Sequence, residues 1–192
     1  MRKIFTIIFI FVLLGFYPSY GEENSGIDAE INSLYAANKL DETFNLIISI
    51  PQDERTAQQW LLMGNIMMDY EKTSDAEFMY NAAIKADSKF YKAYYNLGNI
   101  YLSQEKPNMA IDNYKLAIKY NKEFAPAYYN MGCAYIKTGD LRHAKSALQN
   151  AIYYKPTVAE YHYNLALVYK QLGKEKDAQT YLDYYNKIIN NN

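Results

Sequence analysis

Apolar and small residues recur along this chain at two spacings, one short and one long. Tyr94, Leu97, Gly98 and Tyr101 follow the i, i+3, i+4, i+7 pattern of one helical face. Ala110, Tyr114 and Ala117 do the same in a second segment, and Lys106-Pro107-Asn108 between the two reads as a turn. Thr138-Gly139-Asp140 is the next turn of this kind. The pattern predicts pairs of antiparallel helices joined by short loops.

The long spacing is 34 residues: Gly64, Gly98, Gly132 and Ala166 share it, as do Ala76, Ala110, Ala144 and Ala178. Ala83, Ala117 and Ala151 keep the step until Tyr185 breaks it. Bulky residues obey it too: Trp60, Tyr94, Tyr128 and His162; Met63, Leu97, Met131 and Leu165; Met67, Tyr101, Tyr135 and Tyr169; Tyr80, Tyr114, Leu148 and Leu182. A fixed period of this length signals stacked repeats. The units run 57–90, 91–124, 125–158 and 159–192. Small residues on facing helices are expected to let the backbones approach, with aromatics one turn away filling the wedge. Upstream, Ile27, Ile31, Leu34 and Tyr35 form one apolar stripe and Leu40, Phe44, Ile47 and Ile48 another, before Pro51. Within the segment 22–56 they predict a degenerate hairpin that caps the first unit.

An aromatic residue, then Leu-Gly, then Tyr, then Ala, an aromatic and Ala within 34 residues resembles the tetratricopeptide repeat. Tyr94, Leu97, Gly98, Tyr101, Ala110, Tyr114 and Ala117 carry the resemblance in the second unit, and Pro156 closes the third. It implies an all-α fold, a right-handed α-solenoid of antiparallel helix hairpins, and a scaffold for protein–protein interaction. The fourth unit departs at His162, Ala166 and Tyr185, as a terminal unit does.

Function is then expected on the helix faces that packing leaves over. Opposite the packing face, the second unit carries Lys92, Tyr95, Asn96, Asn99, Leu102 and Ser103. The third carries Tyr129, Asn130, Cys133, Ile136 and Lys137, the fourth Tyr163, Asn164, Leu167, Lys170 and Gln171, and the first Leu61, Leu62, Asn65, Met68 and Asp69. A face that only meets solvent would be rich in Lys and Glu; this one repeats Tyr-Asn. Each Asn offers an acceptor and two donors, enough to pair with both the N–H and the C=O of an extended peptide. Tyr supplies rigid contact area between them. The candidate peptide-binding residues are therefore Asn65, Lys92, Tyr95, Asn96, Asn99, Tyr129, Asn130, Tyr163 and Asn164. The alternative is that the tyrosines pack between adjacent first helices and the asparagines only hold water. The family's clamp for a terminal carboxylate needs Lys or Arg at several inner positions; Leu61 stands where one is required, and Lys92 is a lone basic residue in the second unit.

Composition narrows the function classes. Twenty basic against 21 acidic side chains in 192 residues give a net charge of −1, which argues against bulk phosphate binding and so against a nucleic-acid partner. Residues 22–75 hold 11 acidic and 3 basic groups, whereas 76–192 hold 10 and 15, so an acidic ligand or head-to-tail association near the C-terminal units would find a favourable field. One Cys and two His cannot build a structural zinc site, so no metal or other cofactor is expected. Cys133 is alone, His143 lies near a helix–turn junction and His162 occupies a packing position, so catalysis is not expected either. The last helix presents Tyr181, Tyr184, Tyr185 and Ile188 with no helix after it, a surface through which copies could associate.

The N-terminus has its own pattern. Arg2 and Lys3 precede an apolar run from Ile4 to Tyr17, ended by Pro18, with Ser19 and Gly21 small. A helix of that run reaches about 21 Å, short of a bilayer's hydrocarbon core, so it predicts a secretory signal over residues 1–21 cleaved after Gly21. The protein is then expected outside the cytoplasm, periplasmic or secreted; the alternative is an N-terminal membrane anchor.

Overall fold

The computed structural model describes residues 20–190, and over them all regular structure is helical. Ten helices follow one another: α1 (Tyr20–Ala36), α2 (Leu40–Ser49), α3 (Ala57–Asp69), α4 (Thr73–Ala86), α5 (Tyr91–Ser103), α6 (Pro107–Tyr120), α7 (Ala125–Lys137), α8 (Leu141–Tyr154), α9 (Ala159–Gln171) and α10 (Glu175–Asn190). The predicted export signal and the alternative anchor fall on residues outside those described, apart from Tyr20 and Gly21, which lie in α1. No helix among the described residues is long and apolar enough to cross a membrane. The chain divides into two compact units, Met1–Glu54 and Arg55–Asn192.

In the first unit α1 packs on α2. Ile31 and Ile47 are its buried apolar residues, whereas Ile48, placed on the same stripe from sequence, is exposed. Thr43 is buried because its hydroxyl donates to the carbonyl of Lys39 one turn back, 2.8 Å away.

In the second unit the helices pair as α3/α4, α5/α6, α7/α8 and α9/α10. Each pair turns through a residue of positive φ, and these residues keep the 34-residue step: Glu71, Glu105, Gly139 and Gly173. At each, crossed backbone bonds close the helix end, as where Lys106 N–H donates to Tyr101 and Glu105 N–H to Leu102. Glycine takes this conformation without steric cost, and the glutamates at the first two turns bear it. The helix starts vary more: Thr56 and Gln59 form a reciprocal capping box at α3, Pro107 fills the first turn of α6, and Asp140 accepts from the His143 N–H at α8.

Within a pair the repeated glycine makes room for a specific side chain. A Cβ on Gly64 would lie 2.4 Å from the Tyr80 ring, on Gly98 2.5 Å from the Tyr114 ring, and on Gly132 2.8 Å from Leu148. The sequence expectation placed an alanine opposite each glycine and the aromatics a turn away. Instead the second-helix ring itself lies over the glycine, and Tyr80 and Tyr114 are among the most buried side chains. Between pairs, α4 packs on α5, α6 on α7 and α8 on α9. First helices also meet, α5 touching α7 and α7 touching α9, while successive second helices share at most a marginal contact. The first helices α5, α7 and α9 thus form one continuous row, the inner row.

Candidate functional site

The inner row is held by a repeated set of polar bonds that cross from one helix pair to the next. Asn65 Oδ1 accepts from the Tyr80 hydroxyl at 2.9 Å and from Asn96 Nδ2 of the following pair at 3.0 Å. One repeat later, Asn99 Oδ1 accepts from the Tyr114 hydroxyl at 2.8 Å and from Asn130 Nδ2 at 2.7 Å. Asn130 Nδ2 also donates to the Tyr95 hydroxyl at 3.1 Å. The third rung changes chemistry because Cys133 replaces the asparagine: Asn164 Nδ2 donates to the Tyr129 hydroxyl at 2.7 Å, and Cys133 Sγ lies 3.8 Å away as a weak acceptor. The ladder stops at both ends, since Leu62 stands where the first donor belongs and Leu167 where the next acceptor belongs.

The rungs change what the asparagines can offer. Their amide N–H groups already serve the neighbouring pair, so the two-sided pairing with peptide expected from sequence does not describe Asn130 or Asn164, whose Nδ2 each face two partners. Among the described residues the Oδ1 atoms of Asn96, Asn130 and Asn164 accept no protein hydrogen bond, nor does Asn99 Nδ2 donate one, and none of these atoms is sealed inside. The row presents one half-buried carboxamide oxygen per unit, aimed by the bond its nitrogen makes.

The tyrosines divide into two groups. Tyr95 stands edge-on to Phe124 with ring centroids 5.0 Å apart, and Tyr129 stacks on Tyr161 at 4.6 Å, so both are packed between pairs. Burial, then the neighbouring Cys133, pushes the Tyr129 phenol up to about 12, and burial raises the Tyr114 phenol and the Cys133 thiol. Tyr163 is 42% exposed, with Tyr185 of its own pair 5.3 Å away. Tyr185 is the residue that broke the alanine series, and it is the ring partner of Tyr163 as Phe124 is of Tyr95 and Tyr161 of Tyr129. Leu167, on the same face, is 38% exposed. Lys92 is exposed at the start of α5, and Lys137 forms an ion pair with Glu105 of the preceding turn at 2.8 Å. In the first repeat Leu61 and Leu62, expected on the inner face, are buried.

Three features escaped the sequence reading: the ladder, the Tyr101 hydroxyl donating to Glu77 Oε1 at 2.8 Å across units, and the packing of Tyr181, Tyr184 and Tyr185, expected as an open surface, onto rings of α9. The signal for the first was present. Asn65, Asn99 and Cys133 keep the repeat step, and Asn96, Asn130 and Asn164 stand 31 residues further on. In the cluster Tyr181 stacks on Tyr169 at 5.4 Å, while Tyr181 and Tyr184 flank His162. No group of three or more metal-ligating side chains occurs among the described residues.

Sequence models of the tetratricopeptide repeat match residues 91–124, 125–158 and 159–190. The chain belongs to the tetratricopeptide repeat family. As a tetratricopeptide repeat protein it has the fold of an interaction scaffold. Its fold is shared by a crystal structure of MamA, at 22% identity and a TM-score of 0.75 over 84% of this chain and 95% of that one. MamA 41-end from Desulfovibrio magneticus RS-1 is similar at 16% identity and a TM-score of 0.74, covering 87% and 95%. YrrB, described as a TPR protein with an unusual peptide-binding site, is similar at 22% identity and a TM-score of 0.68 over 82% of each chain. No curated protein sequence matches this tetratricopeptide repeat chain.

Proposed function

We propose that the protein is an exported, non-catalytic scaffold that binds an extended segment of a partner protein along the inner row of α5, α7 and α9. The row of carboxamide oxygens carries this reading: Asn96, Asn130 and Asn164 present one acceptor per unit, with Asn99 Nδ2 as a donor between them. Helices in contact lie about 8 to 10 Å apart, roughly three residues of extended chain, so one peptide can offer an N–H to each unit in turn. The peptide-binding site named for YrrB is consistent with such a use of the fold. Export rests on the pattern of residues 1–21, which places the scaffold in the periplasm or outside the cell, or anchored at its N-terminus.

A second reading is an adaptor subunit of an envelope assembly that makes contact through the outer face or last helix, where Tyr184 and Ile189 are exposed. Removing a ladder asparagine would disturb packing as well as binding, so the two readings are best separated by photocrosslinking. A benzophenone side chain at Lys92 or Lys170, both exposed on the inner row, should capture the partner, whereas one at Lys115 on α6 should not. Capture from Lys115 or Tyr184 alone would favour the adaptor and overturn the groove.

A further inference from the structure

The inner row repeats one acceptor in one orientation. Asn96, Asn130 and Asn164 keep the 34-residue step, and each is half-buried. Their amide nitrogens are tied to equivalent partners of the preceding pair: Asn96 to Asn65, Asn130 to Asn99 and Tyr95, Asn164 to Cys133 and Tyr129. Each carboxamide is thereby fixed the same way round, and its oxygen is left for a ligand. Asn99 Nδ2 is a donor in the same row, and the Tyr95 hydroxyl, which accepts from Asn130, keeps its own hydrogen. Leu102 and Ile136 are half-buried on this face and Leu167 is exposed, so apolar surface lies beside the polar atoms.

A ligand that uses every acceptor must present one N–H per unit, all to one side, at the spacing of packed helices, about 8 to 10 Å. Regular backbones differ in whether they do so. An α-helix bonds its N–H groups to its own carbonyls. Successive N–H groups of a β-strand point to opposite edges, so those on one edge recur every two residues, about 6.7 Å, or every four, about 13 Å. Neither repeat fits. A polyproline II helix has three residues per turn and rises about 3.1 Å per residue, so every third N–H faces the same side at about 9.3 Å, and none is bonded internally.

We infer that the partner segment, on the reading that the inner row is its seat, is a polyproline II stretch with a non-proline, apolar residue at every third position. The N–H groups of three such residues, spanning seven in all, reach Asn96, Asn130 and Asn164 in turn. The two residues between them give no N–H to the row, so proline fits there and sets the conformation before binding, which lowers the ordering cost. Asn99 Nδ2 and the Tyr95 hydroxyl donate to the segment's carbonyls, and the tyrosine rings of the row give proline an aromatic surface.

Fluorescein-labelled nine-residue peptides titrated into the full chain test this. A peptide of three Leu-Pro-Pro triplets should bind at least tenfold more tightly than its analogue N-methylated at the three leucines, which keeps the side chains and removes the N–H groups. It should also bind at least tenfold more tightly than three Leu-Thr-Thr triplets, which keep the leucine spacing without the fixed backbone. Benzophenone at Lys92 or Lys170 should crosslink the Leu-Pro-Pro peptide, and at Lys115 should not. Equal binding of the N-methylated peptide would overturn recognition through the carboxamide oxygens. Equal or tighter binding of the Leu-Thr-Thr peptide, with crosslinks from the inner row, would overturn the polyproline II conformation while leaving the row as the seat of a peptide. No crosslink of the Leu-Pro-Pro peptide from the inner row would overturn the inference as a whole, whereas the seat itself stands or falls on capture of the native partner from the same two positions.

Discussion

The missing Cβ of Gly98 leaves the space that a ring carbon of Tyr114 fills, and the same holds for Gly64 with Tyr80. The sequence varies these positions together: tyrosine faces glycine in the first two repeats, Leu148 faces Gly132, and Leu182 stands in the pair whose first helix carries Ala166. The added methyl of Gly98→Ala would meet a buried ring whose hydroxyl is fixed to Asn99. It should destabilise the chain by about 1 to 3 kcal/mol in urea unfolding. Tyr114→Leu in the Gly98→Ala background should recover part of that loss, because the combination is the one the fourth repeat uses. The glycine step was legible in the sequence; that it serves a ring rather than an alanine was not, since a 34-residue period fixes spacing and leaves open which neighbour fills the gap.

The ladder belongs to the scale of helix pairs, because each rung ties one pair to the next. Asn130→Ala removes the bonds to Asn99 and Tyr95 and should cost about 1 to 2 kcal/mol. Asn99→Ala also strips the buried Tyr114 hydroxyl of its acceptor, so the two changes together should cost less than their sum, by about 0.5 kcal/mol or more. Additive losses in urea titrations of the four proteins of that cycle would show that the rung carries no coupling. At this scale the sequence identified Asn65, Asn96, Asn99, Asn130 and Asn164 as one face. It did not show that they bond to one another, because that depends on how far each first helix is displaced along its neighbour.

Across the whole molecule, burial raises the phenols of Tyr94, Tyr114, Tyr128, Tyr161 and Tyr169, the bond to Glu77 raises that of Tyr101, and Tyr129 reaches about 12. A phenol whose folded value exceeds its unfolded value of 10.0 favours the folded state fully below pH 10. That contribution is lost as pH rises through the folded values. Helical circular dichroism should therefore hold to about pH 10 and fall by about pH 12, with part of the phenolate absorbance appearing only in that fall. A single phenolate wave near pH 10 with unchanged helix content would contradict it.

The sequence by itself determined the repeat, its register, the helix pairs and the all-helical class, because these follow from local periodicity and from the residues that close a turn. Only the tertiary structure decided which faces meet. It consumed the amide nitrogens of the inner asparagines in contacts between units, buried Leu61 and Leu62, and turned Tyr185 onto Tyr163. Hydrogen bonds and ring contacts between residues 20 to 35 positions apart depend on the displacement and curvature of whole helices, and those are set by the summed packing of every pair rather than by any one segment.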